Sequence, residues 1–388
     1  MLSVQLDSPV STTNFLLSLP SSVLLLPYVP SLRSMNIFFN ISHPAHVHFF
    51  KHTMTALMES GHQVVIGARN KEFTVDLLQR AGFEHQVLTS KGSGFLGLVL
   101  ELAKQQFLVG RIVRRHKIDM LLQIGGIFNA PVSWLMRRPA LAVSDTENDR
   151  WGNQISFNMS RHLLVPSCFD HGAGGEWRKQ IHYPGYHELA YLAPRFLKKS
   201  VQVEDKILVR FVGWGAGHDI GETSLSDSQK VELVRLLQKS GQVFISSEGP
   251  LPAEIADLEC TFHPADIHDF MQTCKLLVGE SATMASECAV LGIPALFISN
   301  TGRGYTTEQD EKYDLIRHYR INQWTDIMAT LEDWTCRDLQ PEWQAKRQTM
   351  LADKIDVTAW LLDVITQYPE SVSAALNGDF SKYSLCAE

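Results

Sequence analysis

The segment MNIFFNISHPAHVHFFK (35–51) carries a short β-rich run, NIFFNI, that leads directly into a helical stretch from about Ala45. The same order of strand and helix recurs up to residue 166, with the strand-like runs QVVIGA (63–68), DMLLQIGG (119–126), ALAVS (140–144) and HLLVP (162–166). Strands that alternate with helices of this length are typical of βαβ crossovers and of a parallel sheet covered on both faces. Residues 35–166 are therefore predicted to form a Rossmann-like α/β domain.

A second domain of the same kind is predicted after an interruption. Residues 167–205 contain SCFDHGAGG, YPGY and LAPRF, a passage rich in Gly, Pro and aromatic residues that we interpret as an interdomain segment. The alternation resumes over 206–322 with the runs KILVRFVG (206–213), QVFISS (242–247), KLLVGE (275–280) and PALFIS (294–299). Residues 323–388 are expected to form a helical tail that packs across both domains. The predicted fold class is α/β, with two Rossmann-like domains facing across a cleft.

The composition excludes several classes of protein. The chain has 388 residues, of which 45% are hydrophobic, so it can bury a substantial core and is not globally disordered. Its net charge of -7 supplies no positive field for a polyanion, so nucleic acid is not an expected partner. The six cysteines are scattered singly, which is typical of thiols in a reducing cytoplasm rather than of a disulfide scaffold.

Residues 1–34 are predicted to be an extension that is not part of the fold. The apolar run 15–29 is interrupted by Pro20 and Pro27, and it is shorter than the roughly 20 apolar residues that span a bilayer. A secretory signal would carry a basic region before the apolar run, whereas Asp7 is the only charged side chain there. We therefore expect the fold to begin at Met35.

Three histidines, His43, His46 and His48, follow the first predicted strand where it turns into a helix. Open parallel sheets bind ligands at the carboxyl ends of their strands, and a histidine there can act as an acid or base. His43 and His46 are therefore candidate catalytic residues. The HxH spacing could instead chelate a metal ion, but no carboxylate or cysteine lies close by in sequence, so no metal is predicted.

Two acidic residues follow the ALAVS run in the same way. Asp145 and Glu147 would lie at the same edge of the sheet, where either could act as a general base; the alternative is a solvated acidic turn. His187 and Glu188 lie in the interdomain segment and are interpreted as a hinge contact.

Two strand ends of the second domain are predicted to bind a nucleotide. Glycines in VGWGAGHD (212–219) would let a ligand approach the backbone closely. In GESATMASE (279–287), the first helical N–H groups can hold a diphosphate, and a glutamate about one and a half turns along can reach ribose hydroxyls. The candidate nucleotide-sugar-binding residues are Gly213, Gly215, Gly217, His218, Gly279, Glu280, Ser281, Thr283 and Glu287.

The second of these motifs carries a resemblance. GESATMASECAVLGIPAL (279–296) resembles the nucleotide-sugar segment of GT-B-fold enzymes, among them the UDP-N-acetylglucosamine 2-epimerases and the transferase that adds N-acetylglucosamine to a lipid-linked peptidoglycan precursor. NISHPAHVHFFK (40–51), YPGYHELAYL (183–192) and GRGYTTEQDEKY (302–313) resemble an uncharacterised prokaryotic family related to those enzymes more closely. The resemblance runs from about Met35 to Ile321.

This resemblance implies that the second domain binds a UDP-sugar and that the first supplies catalytic or acceptor-binding groups. Carried over by position, Gly279, Ser281, Thr283 and Glu287 would contact the nucleotide, and the loop 43–48 would face the sugar. The first-domain loop lacks the multiple glycines of the lipid-linked transferase, and Gly-Glu-Ser replaces the Gly-Asp-Ser-Gly-Gly of the epimerases. These departures concern the reaction more than the fold.

The function predicted first is a UDP-sugar-dependent, inverting glycosyltransferase of glycan or polysaccharide biosynthesis. Its partners would be a nucleotide sugar and a glycan or lipid-linked acceptor, and it would need no cofactor besides the donor. A UDP-sugar 2-epimerase or hydrolase is the alternative within enzymes, and a non-catalytic sugar-nucleotide-binding protein is the alternative outside them.

A contact with the membrane is also considered. Residues 95–117 combine an apolar stripe with five basic residues, Lys104, Arg111, Arg114, Arg115 and Lys117, and could dock on an anionic membrane surface. The alternative is a half-buried helix whose basic end is favoured by the helix dipole. The expected location is the cytoplasm, at the inner face of the cell membrane.

Overall fold

The structure, a computed structural model, describes residues 34–385 apart from 91, 93, 148–149, 170–179, 199–200, 214–223 and 261. The first part of the chain forms β1 (Asn36–Ile41), α1 (Pro44–Glu59), β2 (Gln63–Asn70), α2 (Thr74–Arg80), β3 (Gln86–Ser90), α3 (Gly94–Arg115), β4 (Met120–Ile124), α4 (Ala130–Met136), β5 (Ala140–Val143), α5 (Arg150–Met159), β6 (His162–Pro166) and β7 (Gln180–Tyr183). All seven strands pair in parallel in the order β3-β2-β1-β4-β5-β6-β7. This is the predicted first Rossmann-like sheet, extended by two strands that the sequence analysis did not predict, β3 and β7.

The second sheet contains the four predicted strands and one that was not predicted, β12. It follows helix α6 (Leu189–Leu192) and comprises β8 (Glu204–Phe211), α7 (Asp227–Leu237), β9 (Gln242–Ser247), α8 (Ile267–Met271), β10 (Cys274–Gly279), α9 (Ala282–Leu291), β11 (Ala295–Ile298), α10 (Gly304–Glu311) and β12 (Ile316–Tyr319). Its five strands are parallel, in the order β12-β11-β10-β8-β9. The strand order therefore reverses between β1 and β4 in the first sheet and between β8 and β10 in the second, where ligands bind in such folds.

The carboxyl-terminal helices return from the second domain to the first. They are α11 (Trp324–Thr335), α12 (Gln340–Asp353), α13 (Val357–Thr366) and α14 (Glu370–Leu376). Helices α11 and α12 pack on α7 and α9, whereas α13 packs on α1 and α6, and α14 packs on β7. The buried Trp360 ring lies 4.7 Å from that of Tyr183 in β7. The tail therefore spans both sheets, as the sequence analysis expected.

The passage 167–205 differs from its prediction as a simple interdomain segment. Its residues Gln180–Tyr183 are strand β7, which pairs with β6 from Leu163 to Pro166. The four residues of β7 are too few to stand out from the surrounding Gly, Pro and aromatic residues. The first sheet therefore continues to Tyr183, and the residues that follow β7 also lie at its carboxyl edge.

One glycine at the end of β10 has a packing reason. A Cβ on Gly279 would lie 2.2 Å from the carbonyl oxygen of Arg210, its partner in β8. Any larger residue would push the two central strands of the second sheet apart. Gly279 is thus explained by strand packing without a ligand.

Candidate active site

A cleft of about 480 Å³ lies between the carboxyl edges of the two sheets. The first domain contributes residues that follow β1, β2, β4, β5 and β7, among them Ser42, His43, His46, Arg69, Lys71, Gln123, Asp145, Asn153, His187 and Glu188. The second domain contributes residues at or after the ends of β8, β9, β10 and β11, among them Val212, Glu248, Glu280, Ser281, Ala282, Thr283, Phe297, Ser299, Arg303 and Tyr305. Because the strand ends of both sheets face one space, the geometry suits a ligand that contacts both domains.

Two of the three predicted histidines line this cleft. His43 is the N-cap of α1, and its Nδ1 accepts a hydrogen bond from the N–H of Ala45 at 3.3 Å. His46, one turn further on, is buried with its ring centroid 6.0 Å from that of His43. Burial, together with the neighbouring His43, holds the pKa of His46 well below its ordinary value. His46 is thus neutral at physiological pH and suited to hydrogen bonding rather than to carrying charge.

The third histidine lies elsewhere. His48 packs with its ring centroid 4.6 Å from that of His268 and 5.6 Å from that of Tyr191. The three histidines therefore do not converge on one point, as a shared metal ion would require. Within the described part of the chain, no group of three or more His, Cys, Asp or Glu side chains is arranged to hold a metal ion.

The predicted base Asp145 is in direct contact with a histidine. His187 Nδ1 lies 2.9 Å from Asp145 Oδ2, and the Thr146 hydroxyl donates to Oδ1 at 3.0 Å. Burial alone would raise the pKa of Asp145, but the adjacent His187 and these hydrogen bonds hold it below its ordinary value. Asp145 is therefore ionised at neutral pH. Its side chain is 19% exposed, whereas that of His187 is only 8% exposed.

The other nitrogen of His187 is closed to solvent. Nε2 is buried and has no hydrogen-bond partner among the described residues. A substrate proton can therefore reach the pair more readily through the Asp145 carboxylate than through the imidazole. This assigns His187 to positioning Asp145, a role that the interpretation as a hinge contact missed.

Glu188, next to His187, is buried at the wall of the cleft. Burial, and then the negative charge of Asp145, raise its pKa from 4.5 to about 8, although a hydrogen bond with Ser286 works in the opposite direction. At neutral pH Glu188 is mostly a protonated acid that can donate a hydrogen bond.

The melting temperature of Glu188→Gln, relative to that of the wild type, is expected to increase as the pH is raised from about 5 to about 9. The folded wild type keeps a proton up to a pH of about 8, while the unfolded chain releases it near 4.5, so wild-type stability falls as the pH rises through this window. Glutamine does not titrate. Calorimetry of both proteins across this range measures the difference, with the exposed Glu311→Gln as the matched control. A difference independent of pH would contradict a raised pKa at Glu188.

The second acidic candidate of the first domain has a different place. Glu147 Oε1 accepts a hydrogen bond from the N–H of Gly304, the first residue of α10, at 3.2 Å. It thereby joins the loop after β5 to the second domain, where a carboxylate at a helix start is electrostatically favourable. In this arrangement Glu147 links the domains, whereas Asp145 lines the cleft.

Glu280 is a buried carboxylate in the second-domain part of the cleft, where it binds backbone groups. It is 1% exposed, and its two oxygens accept hydrogen bonds from the N–H groups of Val212 and Leu225 at 3.0 and 2.9 Å. It therefore holds the backbone of Val212 close to that of Leu225. Gly213 donates to Glu248 at 3.1 Å, while the candidates Gly215, Gly217 and His218 lie outside the described residues.

The start of α9 forms the second-domain wall opposite these groups. Ser281 is its N-cap, with the hydroxyl accepting from the N–H of Met284 at 3.3 Å, and Thr283 also lines the cleft. Arg303 lies on the same wall, where it donates to Thr301 and to the carbonyl of Gly302. A helix N-terminus beside a guanidinium group is a suitable site for an anion such as a diphosphate.

Glu287, the predicted ribose ligand, is already engaged in this structure. It is 5% exposed, and its Oε1 accepts from the Tyr191 hydroxyl and lies 2.8 Å from His268 Nε2. These partners come from α6 and α8, so the glutamate joins three elements around α9. Binding a ribose would require at least part of this arrangement to change.

Several polar residues of the cleft were not predicted as site residues, among them Arg69, Lys71, His187, Glu188, Arg303 and Tyr305. Arg69 and Lys71 come at or just after the end of QVVIGA, so the same strand-end argument could have found them. His187 and Glu188 could not be found in that way, because β7 was not recognised. Arg303 lies in GRGYTTEQDEKY (302–313), a segment that resembles the uncharacterised prokaryotic family but has no other signal of a site.

The fold is shared with proteins of known structure at low identity. MnaA of S. aureus, solved with UDP, has a TM-score of 0.60 and 11% identity, covering 87% of this chain and 98% of its own. The UDP-GlcNAc 2-epimerase of Neisseria meningitidis, solved with UDP-GlcNAc, has a TM-score of 0.56 and 11% identity, covering 86% and 99%. The glycosyltransferase of kitacinnamycin has a TM-score of 0.58 and 13% identity, also covering 86% and 99%.

Among curated proteins, none matches this sequence significantly. Residues 35–212 match a family described as a protein of unknown function (DUF354). The chain thus has the GT-B fold seen in UDP-GlcNAc 2-epimerases and glycosyltransferases, as predicted, and residues 35–212 match DUF354.

Proposed function

We propose that this protein is a UDP-sugar-dependent glycosyltransferase of inverting type. The observation that carries the proposal is a single cleft with an anion-binding helix start on one wall and the Asp145–His187 pair on the other. The structural neighbours solved with UDP and with UDP-GlcNAc support a nucleotide sugar as the donor.

The donor would be held by the second domain. The first N–H groups of α9 and the Arg303 guanidinium would bind the diphosphate, with Ser281 and Thr283 beside it. Glu287 would bind the ribose after a local rearrangement. Since helix N–H groups and a guanidinium stabilise the charge that develops on the leaving diphosphate, this scheme needs no metal ion or other cofactor.

The base would be Asp145. It accepts the proton of the acceptor hydroxyl, whose oxygen forms a bond to the anomeric carbon of the sugar. The bond from that carbon to the diphosphate breaks with its electron pair, so UDP leaves and the anomeric configuration is inverted. His187 keeps the carboxylate ionised and oriented, and the neutral His46 can bind sugar hydroxyls.

The acceptor would bind on the first-domain side, where Arg69 and Lys71 provide positive charge. We propose a glycan or lipid-linked acceptor and a role in glycan or polysaccharide biosynthesis on the cytoplasmic side of the cell membrane. The singly placed cysteines agree with a reducing compartment.

A UDP-sugar 2-epimerase or hydrolase is the second candidate, and Glu188 is the observation that favours it. A protonated acid near the ionised Asp145 gives the cleft both an acid and a base at neutral pH. Epimerisation and hydrolysis need such groups around the sugar but no acceptor site. Incubation with UDP-sugars, with and without a lipid extract, separates the reactions: transfer requires the extract, whereas hydrolysis releases UDP without it and epimerisation changes the sugar.

UDP is expected to raise the melting temperature of the protein by several degrees. A ligand that binds only the folded state stabilises it by about 2.7 kcal/mol at a hundredfold excess over its Kd, and each kcal/mol raises the melting temperature by about 2–4 °C in a chain of roughly this size. Differential scanning calorimetry with UDP measures the shift, and Arg303→Ala serves as a variant that should reduce it. If no nucleoside diphosphate has any effect, the donor site is assigned wrongly.

A further inference from the structure

The outer helices of the first domain carry an unusual concentration of exposed apolar residues. The five most exposed large hydrophobic side chains in the described part of the chain are Leu96, Leu100, Phe107, Trp134 and Leu135, each 67–75% exposed. All five lie on α3 and α4, which pack side by side. We call the surface that these five residues form the α3–α4 face.

The apolar side chains of this surface point away from the core. Val109, Ile112 and Val113 of α3 pack on the sheet together with Val132 of α4. Leu96, Leu100 and Phe107 follow one another on the opposite side at helical spacing. The α3–α4 face is therefore not needed to build the domain, and large exposed apolar patches usually mark a contact surface.

The charges around the face are almost all positive. Helix α3 has four exposed basic residues, Lys104, Arg111, Arg114 and Arg115. Its one acidic residue, Glu101, is buried beneath the helix in an ion pair with Arg69. Two more exposed arginines, Arg137 and Arg138, directly follow α4. This local positive charge contrasts with the net charge of -7 of the whole chain.

We propose that the α3–α4 face docks the protein on an anionic lipid bilayer. Leucine, phenylalanine and tryptophan side chains would enter the interface between headgroups and acyl chains, while the lysine and arginines bind anionic headgroups. Within the described residues no helix is both long and apolar enough to cross a membrane, so the contact would be peripheral.

The docked surface adjoins the cleft. Arg69, which lines the cleft, is held by Glu101 of α3 through hydrogen bonds of 2.5 and 2.7 Å. Gln106 of the same helix donates to the carbonyl of Ile127, another residue of the cleft wall. Docking would bring the first-domain side of the cleft near the bilayer, where a lipid-linked acceptor could reach it. Only this last step rests on the proposed function.

The experiment is sedimentation of the full chain with vesicles of phosphatidylcholine alone or mixed equally with phosphatidylglycerol. The wild type should bind the mixed vesicles and lose affinity as salt is added, because salt screens exposed charges. Leu100→Glu combined with Phe107→Glu should reduce binding at least tenfold, since two apolar contacts are replaced by negative charges. Leu376→Glu, an exposed leucine on α14, is the matched control and should bind like the wild type.

Three results would overturn the proposal. The first is equal binding by the double variant and the wild type, as would occur if residues 1–33 alone bound the vesicles. The second is an absence of binding to either vesicle. The third is a wild-type dimer that binds no vesicle and becomes monomeric in the double variant, which would make the face an interface between copies. The melting-temperature shift with UDP, measured on the same variants, separates these results from a failure of the donor site.

Discussion

Asp145→Asn is expected to lower kcat by about 10²–10⁴-fold, the usual contribution of a general base. The asparagine keeps the size of the side chain and can still accept from His187, but it cannot take a proton. The affinity for UDP should change little, because Asp145 lies on the first-domain wall and acts on the acceptor. Initial rates with a UDP-sugar and acceptor extract, together with calorimetric titration of UDP, measure the two effects separately.

The role of His187 can be tested through the pH dependence of the same rate. His187→Ala removes a group that holds the pKa of Asp145 down, so the acidic limb of kcat/KM should move to higher pH. His187→Asn places an amide N–H near the position of Nδ1 and should restore part of the wild-type rate and profile. A residue that merely filled space would produce neither the displaced limb nor the recovery by asparagine.

If Asp145→Asn keeps full activity, Asp145 is not the base, and Glu147 and the histidines His43 and His46 become the next candidates. If activity is lost together with UDP binding, the side chain supports the cleft as a whole. If UDP binds normally but neither transfer, epimerisation nor hydrolysis is seen in the wild type, the protein is a non-catalytic sugar-nucleotide-binding protein.

The periodicity of the sequence predicts the fold well because strand and helix have different repeat lengths. Runs such as NIFFNI and KLLVGE are short and have apolar centres without polar alternation, as is typical of strands covered on both faces. The strand β7 was missed because its four residues, QIHY, have no such pattern and owe their conformation to pairing with β6. Likewise, the sequence PAEIADL (252–258) predicts a helix, whereas the structure has only one 3₁₀ turn there, Ala256–Leu258.

The sequence predicts which residues line the cleft where they follow a recognisable strand. It does not predict which side chains contact one another there. Asp145 and the histidines His43 and His46 were found because they follow strands whose carboxyl ends share an edge. The partner of Asp145 could not be found, because His187 follows β7, with β6 between the two strands. The raised pKa of Glu188 depends on burial and on the charge of Asp145, which a sequence does not show.

Glu287 illustrates the same limit in the second domain. Its spacing along α9 suits a ribose ligand. The alternative from the sequence alone is an ordinary exposed glutamate on a helix. The structure places it in neither setting, since Tyr191 and His268 bind its carboxylate in a buried position. The sequence could not predict these partners because α6 and α8 reach α9 through tertiary packing alone.

Glu287→Ala is therefore expected to destabilise the protein by about 2–6 kcal/mol, since it leaves two buried donors without an acceptor at about 1–3 kcal/mol each. Denaturant unfolding measures this loss. Glu287→Gln retains an oxygen that can accept from Tyr191 or His268, so its stability should lie close to that of the wild type. Comparing the two variants separates the effect of removing the side chain on stability from the effect of removing its charge.

The ribose-binding role of the same residue can then be tested without unfolding the protein. If Glu287 binds ribose hydroxyls, Glu287→Gln should weaken UDP binding about tenfold, because hydrogen bonds to a charged acceptor are stronger than those to a neutral one. Tyr191→Phe removes a competing donor and keeps the ring, so it should bind UDP at least as tightly as the wild type while losing about 1 kcal/mol of stability. Wild-type UDP affinity in Glu287→Gln would instead restrict the carboxylate to joining α6, α8 and α9, and would assign ribose recognition to the residues that line the cleft, of which Glu287 is not one.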